Sequence, residues 1–319
     1  MRAVQLDRFG GTPAVVEIPT PEPGPGQIRL RIAACGLNFA DLLMLKGQYQ
    51  DTPETPFTMG MEVSGVVEAL GPGITAPALG TRVAVFAGHG GLAEAGVFEA
   101  ARAVPIPDAM PFDEAAGFLV AYGTSHLALA HRAGLKPGER LLVLGAAGGV
   151  GLTAVELGAV MGAEVIAVAR GAEKLEVARR AGARHLIDSE TADIRAEVKA
   201  LGGADVVYDA VGGAAFDAAL RATRPEGRIL TIGFASGEVP QIPANILLVK
   251  NISVMGLYWG GYLSFAPEVL TDSLSQVMDL YAAGQVHPHI SARFPLERTS
   301  EALEMLRSRK STGKVVVTM

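Results

Sequence analysis

Residues 141–151, Leu-Leu-Val-Leu-Gly-Ala-Ala-Gly-Gly-Val-Gly, have types and spacing that suit the binding of a dinucleotide. A short apolar run breaks into glycines, and a helix-like segment follows. Ala146, Gly148 and Gly151 keep the spacing of a dinucleotide fingerprint, with alanine in the first place, where a small side chain still permits the tight turn. Gly148, Gly149 and Val150 then bring backbone close to a pyrophosphate, whose charge is favoured by free N–H groups and the positive end of the helix dipole. Glycine makes up 39 of 319 residues, so the spacing alone is weak. Context strengthens it, because Glu164–Ala169 reads as a second parallel strand at the expected distance. An NAD enzyme places a carboxylate at the end of that strand, against the ribose 2′-hydroxyl. Here Ala169 is followed by Arg170, with Lys174 a helical turn further on, and two cations suit a 2′-phosphate. The bland alternative is a solvated Arg and Lys balanced by Glu173 and Glu176. The reading favours NADPH over NADH as cofactor.

The elements that must position this turn follow from the patterning around it. Residues 1–117 carry short β-like runs at 27–34, 62–70 and 81–86, broken by Pro/Gly turns at 21–26 and 71–73, and read as a small β-rich domain. From 118 to 260 strands alternate with alanine-rich helices. After the first two strands come 185–188, 205–210, 228–233 and 252–258, which implies a doubly wound parallel sheet of six strands. The remainder, 261–319, carries amphipathic segments at 267–283 and 300–308 and a last strand at 314–317. That strand is expected to return to the first domain, since the six-stranded sheet is complete without it. The apolar sixth strand belongs at a sheet edge, and pairing of two such edges predicts a homodimer.

Composition narrows the function classes. A net charge of -6 without a long basic tract argues against nucleic acid as the main partner. No run reaches the roughly 20 apolar residues of a membrane span and no signal-peptide pattern is seen, so a cytoplasmic location is expected. The single cysteine, Cys35, excludes a disulfide framework and a cysteine-rich zinc lobe. The six histidines have no cysteine partner at ligand spacing and read as ordinary core or surface residues.

Several further segments, in this order, carry a resemblance over nearly the whole length: Cys35-Gly-Leu-Asn-Phe-Ala-Asp41, Gly60-Met-Glu-Val-Ser-Gly65, Leu135-Lys-Pro-Gly-Glu139, Tyr208-Asp-Ala-Val-Gly-Gly213, Ile232-Gly-Phe-Ala-Ser-Gly237, residues 251–260, and Thr312-Gly-Lys-Val-Val316. With the fingerprint they resemble the medium-chain dehydrogenase/reductase superfamily, and within it the zinc-independent NADPH:quinone oxidoreductases that include zeta-crystallin. The resemblance implies a GroES-like catalytic domain and a Rossmann domain, with the active site in the cleft between them. Asn38 and Met61 match the places where zinc-dependent relatives put metal ligands, and neither an amide nor a thioether replaces them well. Glu62 beside them does not make a metal site alone. The implied function is hydride transfer from NADPH to a quinone or an α,β-unsaturated carbonyl, without a metal. The alternative is a non-enzymatic NADPH-binding protein, as the crystallin use of a relative illustrates.

Site residues follow one by one from the resemblance. Asn38 is assigned to the nicotinamide-ribose side and Asp41 to ordering its loop; Tyr49 lines the quinone pocket and donates a proton, or packs as an aromatic wedge. Thr124, Ser189, Val211, Gly233, Phe234, Ser236, Leu257 and Tyr258 are implied cofactor contacts. Ser189 replaces an adenine-stacking tyrosine of a relative. Arg309 matches an arginine that reaches the 2′-phosphate, whereas Lys314 reads as a solvated strand charge.

Overall fold

Residues Gln27–Leu37 alternate buried Ile28, Leu30 and Ile32 with the more exposed Arg29 and Arg31, and this period of two makes them a strand with one face on a core. In the computed structural model, which describes residues 1–319, this strand is the spine of the first of two units, Met1–Val120 with Pro288–Met319. It pairs antiparallel with Glu62–Leu70, with Ala95–Glu99 and with the C-terminal strand Lys314–Thr318. The seven-stranded sheet is completed by Ile290–Pro295, Arg82–Phe86 and Ala103–Pro105. A three-stranded sheet of Ala14–Glu17, Arg2–Leu6 and Phe57–Thr58 belongs to the same unit. Met44, Met59, Met61 and Leu92 fill its core.

The second unit, Ala121–His287, is built on six strands, the central ones buried on both faces. These are β1 (Arg140–Leu144), β2 (Glu164–Ala169), β3 (His185–Asp188), β4 (Ala204–Asp209), β5 (Thr223–Thr231) and β6 (Ser253–Gly256). They form one parallel sheet in the order β3-β2-β1-β4-β5-β6. Near-continuous apolar runs such as Leu141–Leu144 suit a sheet covered by helices on both sides. Helices α1 (Gly149–Val160), α2 (Gly171–Arg180), α3 (Ile194–Ala200), α4 (Gly213–Ala222) and α5 (Ala244–Lys250) alternate with the strands, and α6 (Pro267–Ala282) follows them. The order places the crossover point between β1 and β4, where doubly wound folds hold their ligands at the carboxyl ends of the strands.

The expected domain border at 260 is corrected to 287. Residues 261–287 stay with the second unit because α6 is fastened there: Leu274 lies against Gly123, and Ser273 Oγ bonds His126 Nδ1 at 2.8 Å. Only from Pro288 does the chain return to the first unit, where the last strand sets Val315 opposite Leu37 and Val317 opposite Cys35. The sixth strand, Ser253–Gly256, is shorter than the expected 252–258, although the Leu257 N–H still donates to Thr231 O at 3.2 Å. It forms one edge of the sheet. No helix is long and apolar enough to cross a membrane.

Candidate functional site

The glycine-rich turn joins β1 to α1. Gly145, not Ala146, carries the left-handed backbone (φ +73°), and the N–H groups of both donate to Val168 O of β2 at 3.1 and 3.0 Å. A Cβ on Gly151 would stand 2.1 Å from Gly145 O, so only glycine lets the helix start this close beneath the turn. Gly148 is the N-cap and has no side chain to occupy the helix end. The N–H groups of Gly149, Val150 and Gly151 have no backbone acceptor and remain donors for an anion.

The turn is supported from below by a buried hydroxyl network that the sequence did not reveal. Ser125 Oγ bonds Val150 O at 2.9 Å, Thr153 Oγ1 at 2.8 Å and the Tyr208 hydroxyl at 3.0 Å. Burial raises the Tyr208 phenol above its ordinary pKa, so it stays neutral. Thr124, one residue earlier, is buried on the helix Leu119–His126.

Other sequence-proposed contacts gather at the carboxyl edge of the same sheet. Arg170 is the N-cap of α2, exposed, with no carboxylate in ion-pairing distance, and Lys174 lies half-buried within that helix. Ser189 follows β3 and donates its N–H to Ala169 O. After β4, the Asp209 Oδ1 accepts the N–H groups of Val211 and Gly212 at 2.8 and 2.9 Å, and its buried Oδ2 has no partner. Burial raises this carboxyl's pKa, against the pull of its two backbone bonds. Gly233, Phe234 and Ser236 follow β5, with Ser236 N–H bonded to Val211 O; Leu257 and Tyr258 follow β6. A carboxylate missed in the sequence also stands at this corner. Asp188 ends β3 opposite Ala169, and its Oδ1 accepts the N–H of Gly171 at 3.1 Å and of Glu190 at 3.0 Å. These bonds, first that from Glu190, hold its pKa below the usual range. Arg309 belongs to the first unit, just beyond Thr299–Arg307, in a left-handed conformation (φ +56°).

In the first unit, Asn38, Asp41, Glu62 and Lys314 form a buried polar cluster. Lys314 is therefore not a solvated strand charge. Its side chain is 6% exposed, and Nζ donates to Glu62 Oε1 at 2.6 Å and to Asn38 Oδ1 at 2.8 Å. The strand is buried on both faces, so Lys314 has no solvent-facing side to take, and burial of its ammonium is tolerable only because the carboxylate is there. Asn38 Nδ2 donates to the same Glu62 oxygen at 2.9 Å, and Glu62 Oε2 accepts the Val120 N–H at 3.0 Å. The Asn38 amide, expected to face a ribose, is thus engaged at both ends within the protein. Its backbone N–H donates to Asp41 Oδ2 at 2.7 Å, closing a capping box on the helix Phe39–Met44. Asp41 Oδ1 is buried without a partner, and desolvation raises this carboxyl to a pKa of about 7. Burial likewise pushes the Cys35 thiol up, so it is no nucleophile at neutral pH. Tyr49 packs against the core of this unit. No group of three or more His, Cys, Asp or Glu side chains is placed to hold a metal ion.

Against this geometry, residues 24–108 match the alcohol dehydrogenase GroES-like domain, and residues 149–282 match the nucleotide-domain model described as zinc-binding dehydrogenase. A quinone oxidoreductase-like protein 2 homolog of Nematostella vectensis is 43% identical over 99% of this chain and 88% of its own length. The chain belongs to the quinone oxidoreductase-like family of the medium-chain dehydrogenases/reductases. The quinone oxidoreductase of Thermus thermophilus, solved alone and with NADPH, superposes with a TM-score of 0.89 at 34% identity, covering 100% of both chains. The Escherichia coli quinone oxidoreductase complexed with NADPH gives 0.92 at 27% identity, again over 100% of both chains. The residues at the carboxyl edge of the second unit's sheet fit such a dinucleotide: a glycine cradle, open helix N–H groups and an uncommitted cation at the end of β2.

Two outcomes test the cluster. Lys314→Met leaves the Glu62 carboxylate buried and unpaired, and is expected to lower stability by about 3–5 kcal/mol in chemical denaturation. The double change Lys314→Met with Glu62→Gln should recover much of that loss; an undiminished loss would show that packing rather than charge pairing dominates. Asp41, ordinarily near 3.8 and raised to about 7 in the fold, binds a proton more tightly folded than unfolded. Its contribution is therefore fully favourable below about pH 4 and declines as pH rises to about 7, by up to about 1.4 kcal/mol per pH unit. Asp41→Asn should remove that slope from denaturation midpoints measured between pH 4.5 and 7.5.

Proposed function

We propose that this chain is an NADPH-dependent cytoplasmic reductase that acts without zinc on quinones or related α,β-unsaturated carbonyls. The observation that carries this reading is the glycine-built turn at 145–151, with Gly151 forced against Gly145 O and the N–H groups of α1 left open. NADPH, when bound, supplies a hydride from its reduced nicotinamide ring. The chain's own part is to hold it. The N–H groups of Gly149, Val150 and Gly151 bind the pyrophosphate, and Arg170, Lys174 and Arg309 are assigned to the 2′-phosphate. Thr124, Ser189, Val211, Gly233, Phe234, Ser236, Leu257 and Tyr258 line the rest of the nucleotide.

Substrate chemistry falls to the first unit. A conjugated acceptor spreads the arriving negative charge onto an oxygen, which requires hydrogen-bond donors rather than a Lewis acid. Asn38 and Met61 occupy the places of metal ligands, and the Asn38 amide is already bonded to Lys314 and Glu62. Asn38 and Asp41 thus act as positioning residues that keep the loop from 38 to 49 in shape, and Tyr49 is assigned to the pocket wall as proton donor. Self-association is part of the same reading. The edge of β6 is open in the sheet, and Val239, Ile242 and Leu248, on the segment leading into it, are 63%, 43% and 78% exposed.

Purified protein should oxidise NADPH with simple quinones or enones at a rate unchanged by chelator. Arg170→Ala should weaken NADPH by about 1–3 kcal/mol while barely altering NADH, as expected for a lost charge-assisted bond. Equal wild-type affinity for the two cofactors would remove the assignment. Sedimentation at micromolar concentration should show a dimer, and Leu248→Glu should shift it toward monomer; a wild-type monomer overturns the interface.

A further inference from the structure

The amino-terminal edge of the parallel sheet, opposite the glycine-rich turn, holds a groove of about 680 Å³ whose charges are nearly all of one sign. It is lined by Arg195 and Lys199 of α3, Arg221 at the end of α4, Arg224 at the start of β5 and Lys250 at the end of α5. Arg224 is paired, its Nη1 lying 2.7 Å from Asp205 Oδ1. Arg195, Lys199 and Arg221 have no carboxylate within ion-pairing distance, and all three are exposed. Lys250 is fixed rather than free-swinging, because Nζ donates to Leu220 O at 3.1 Å and Arg221 O at 3.0 Å. Its pKa is lowered, first by partial burial and then by Lys199, Arg195 and Arg221, with no carboxylate opposing them.

Helix ends explain part of this charge. Lys199, Arg221 and Lys250 each lie in the last turn of a helix, where a cation interacts favourably with the dipole. Arg195 does not, since it sits in the first turn of α3, where the dipole disfavours it. Nor does a dipole account for gathering cations from three helices around one hollow, in a chain whose net charge is -6. Like charges held this close repel, and an anion between them removes the repulsion. The rim contributed by Ile246 and the 78% exposed Val249 is apolar, which suits a ligand with a hydrocarbon or aromatic body as well as its phosphates.

We propose that this groove is a second ligand site, for an organic polyphosphate bearing at least two phosphate groups, separate from the cofactor edge of the same unit. The phosphates lie among Arg195, Lys199, Arg221 and Lys250, and the apolar body lies against Val249. The ligand is either a free phosphorylated small molecule or a multiply phosphorylated lipid headgroup; the chemistry of recognition is shared.

The test uses inorganic triphosphate, titrated calorimetrically into the full-length protein at 150 mM salt with NADPH present in saturating amount. Binding in the micromolar range is expected, with at least a tenfold loss in Arg195→Gln/Lys199→Gln, both exposed positions whose change leaves the fold intact by circular dichroism. Arg170→Ala, at the opposite edge, should bind triphosphate as the wild type does. Co-sedimentation with vesicles containing a bisphosphorylated inositol lipid, competed by triphosphate and lost in the double variant, assigns the headgroup as source; no co-sedimentation assigns a free ligand. Absence of triphosphate binding at millimolar concentration overturns the proposal. So does binding that the double variant leaves unchanged, or equal binding of a short DNA duplex, which would reveal unspecific attraction to polyanions.

Discussion

A buried ammonium is tolerable only beside a carboxylate, and this requirement ties the last strand of the chain to its first domain. Lys314 and Glu62 are 252 residues apart in sequence and 2.6 Å apart in space. The strand Lys314–Thr318 meets Gln27–Leu37 in a register that sets Val315 opposite Leu37, just before Asn38. A slip by one residue would turn Lys314 to the other face and leave Glu62 unpaired beneath the Val120 N–H it accepts. The ion pair therefore specifies register more than it adds stability. Asn38 is bonded to both charged partners and also begins the capping box with Asp41, so the start of Phe39–Met44 depends on the same pair.

Desolvation governs Asp41 in a different way. It lies within the influence of Glu62 and Lys314, and the dominant effect on it is burial, which favours the neutral acid. A protonated Asp41 still accepts the Asn38 N–H through Oδ2, so the cap survives on either side of its pKa. What changes with ionisation is the number of charges the cluster must hold in low dielectric. With Asp41 neutral, Lys314 and Glu62 balance each other; with Asp41 ionised, one negative charge is left over. The arrangement is an internal polar core, satisfied except at Asp41 Oδ1, at the place where zinc-dependent relatives are expected to put ligands.

Periodicity made most of the fold legible. The β-like run at 27–34, which the structure extends to Leu37, and the apolar runs in β1 and β2 gave strands because these signals are local. The doubly wound parallel sheet followed from the alternation of strands and helices, whereas the order of its strands is set by pairings between distant segments. The border at 287 was not legible: Pro267–Ala282 is amphipathic wherever it packs, and only the His126–Ser273 bond and the contact of Leu274 with Gly123 show which unit it joins. The candidate site divides in the same way. The glycine turn was readable because the constraint on Gly151 is steric and local, although the left-handed residue proved to be Gly145. Lys314 was misread because its partner is distant in sequence; a lysine among valines in an otherwise buried strand was the available signal. The Ser125, Thr153 and Tyr208 hydroxyls, scattered over 83 residues between Ser125 and Tyr208, carried no spacing that could have flagged them.

The corner at the ends of β2 and β3 holds opposing charges, and their commitments decide how each acts. Asp188 reaches this corner from the neighbouring strand, so a rule read along β2 alone does not see it. Its Oδ1 is occupied by the N–H groups of Gly171 and Glu190, which fixes the entry to α2 and holds the carboxylate charged. Arg170, the N-cap of α2, has no ion-pair partner within the chain to give up. A planar donor on an exposed N-cap contributes most to a phosphate when it need not first break an ion pair. The Asp188 carboxylate lowers the positive field at this corner without occupying the guanidinium, so the proposed preference for NADPH rests on Arg170 rather than on the absence of a carboxylate.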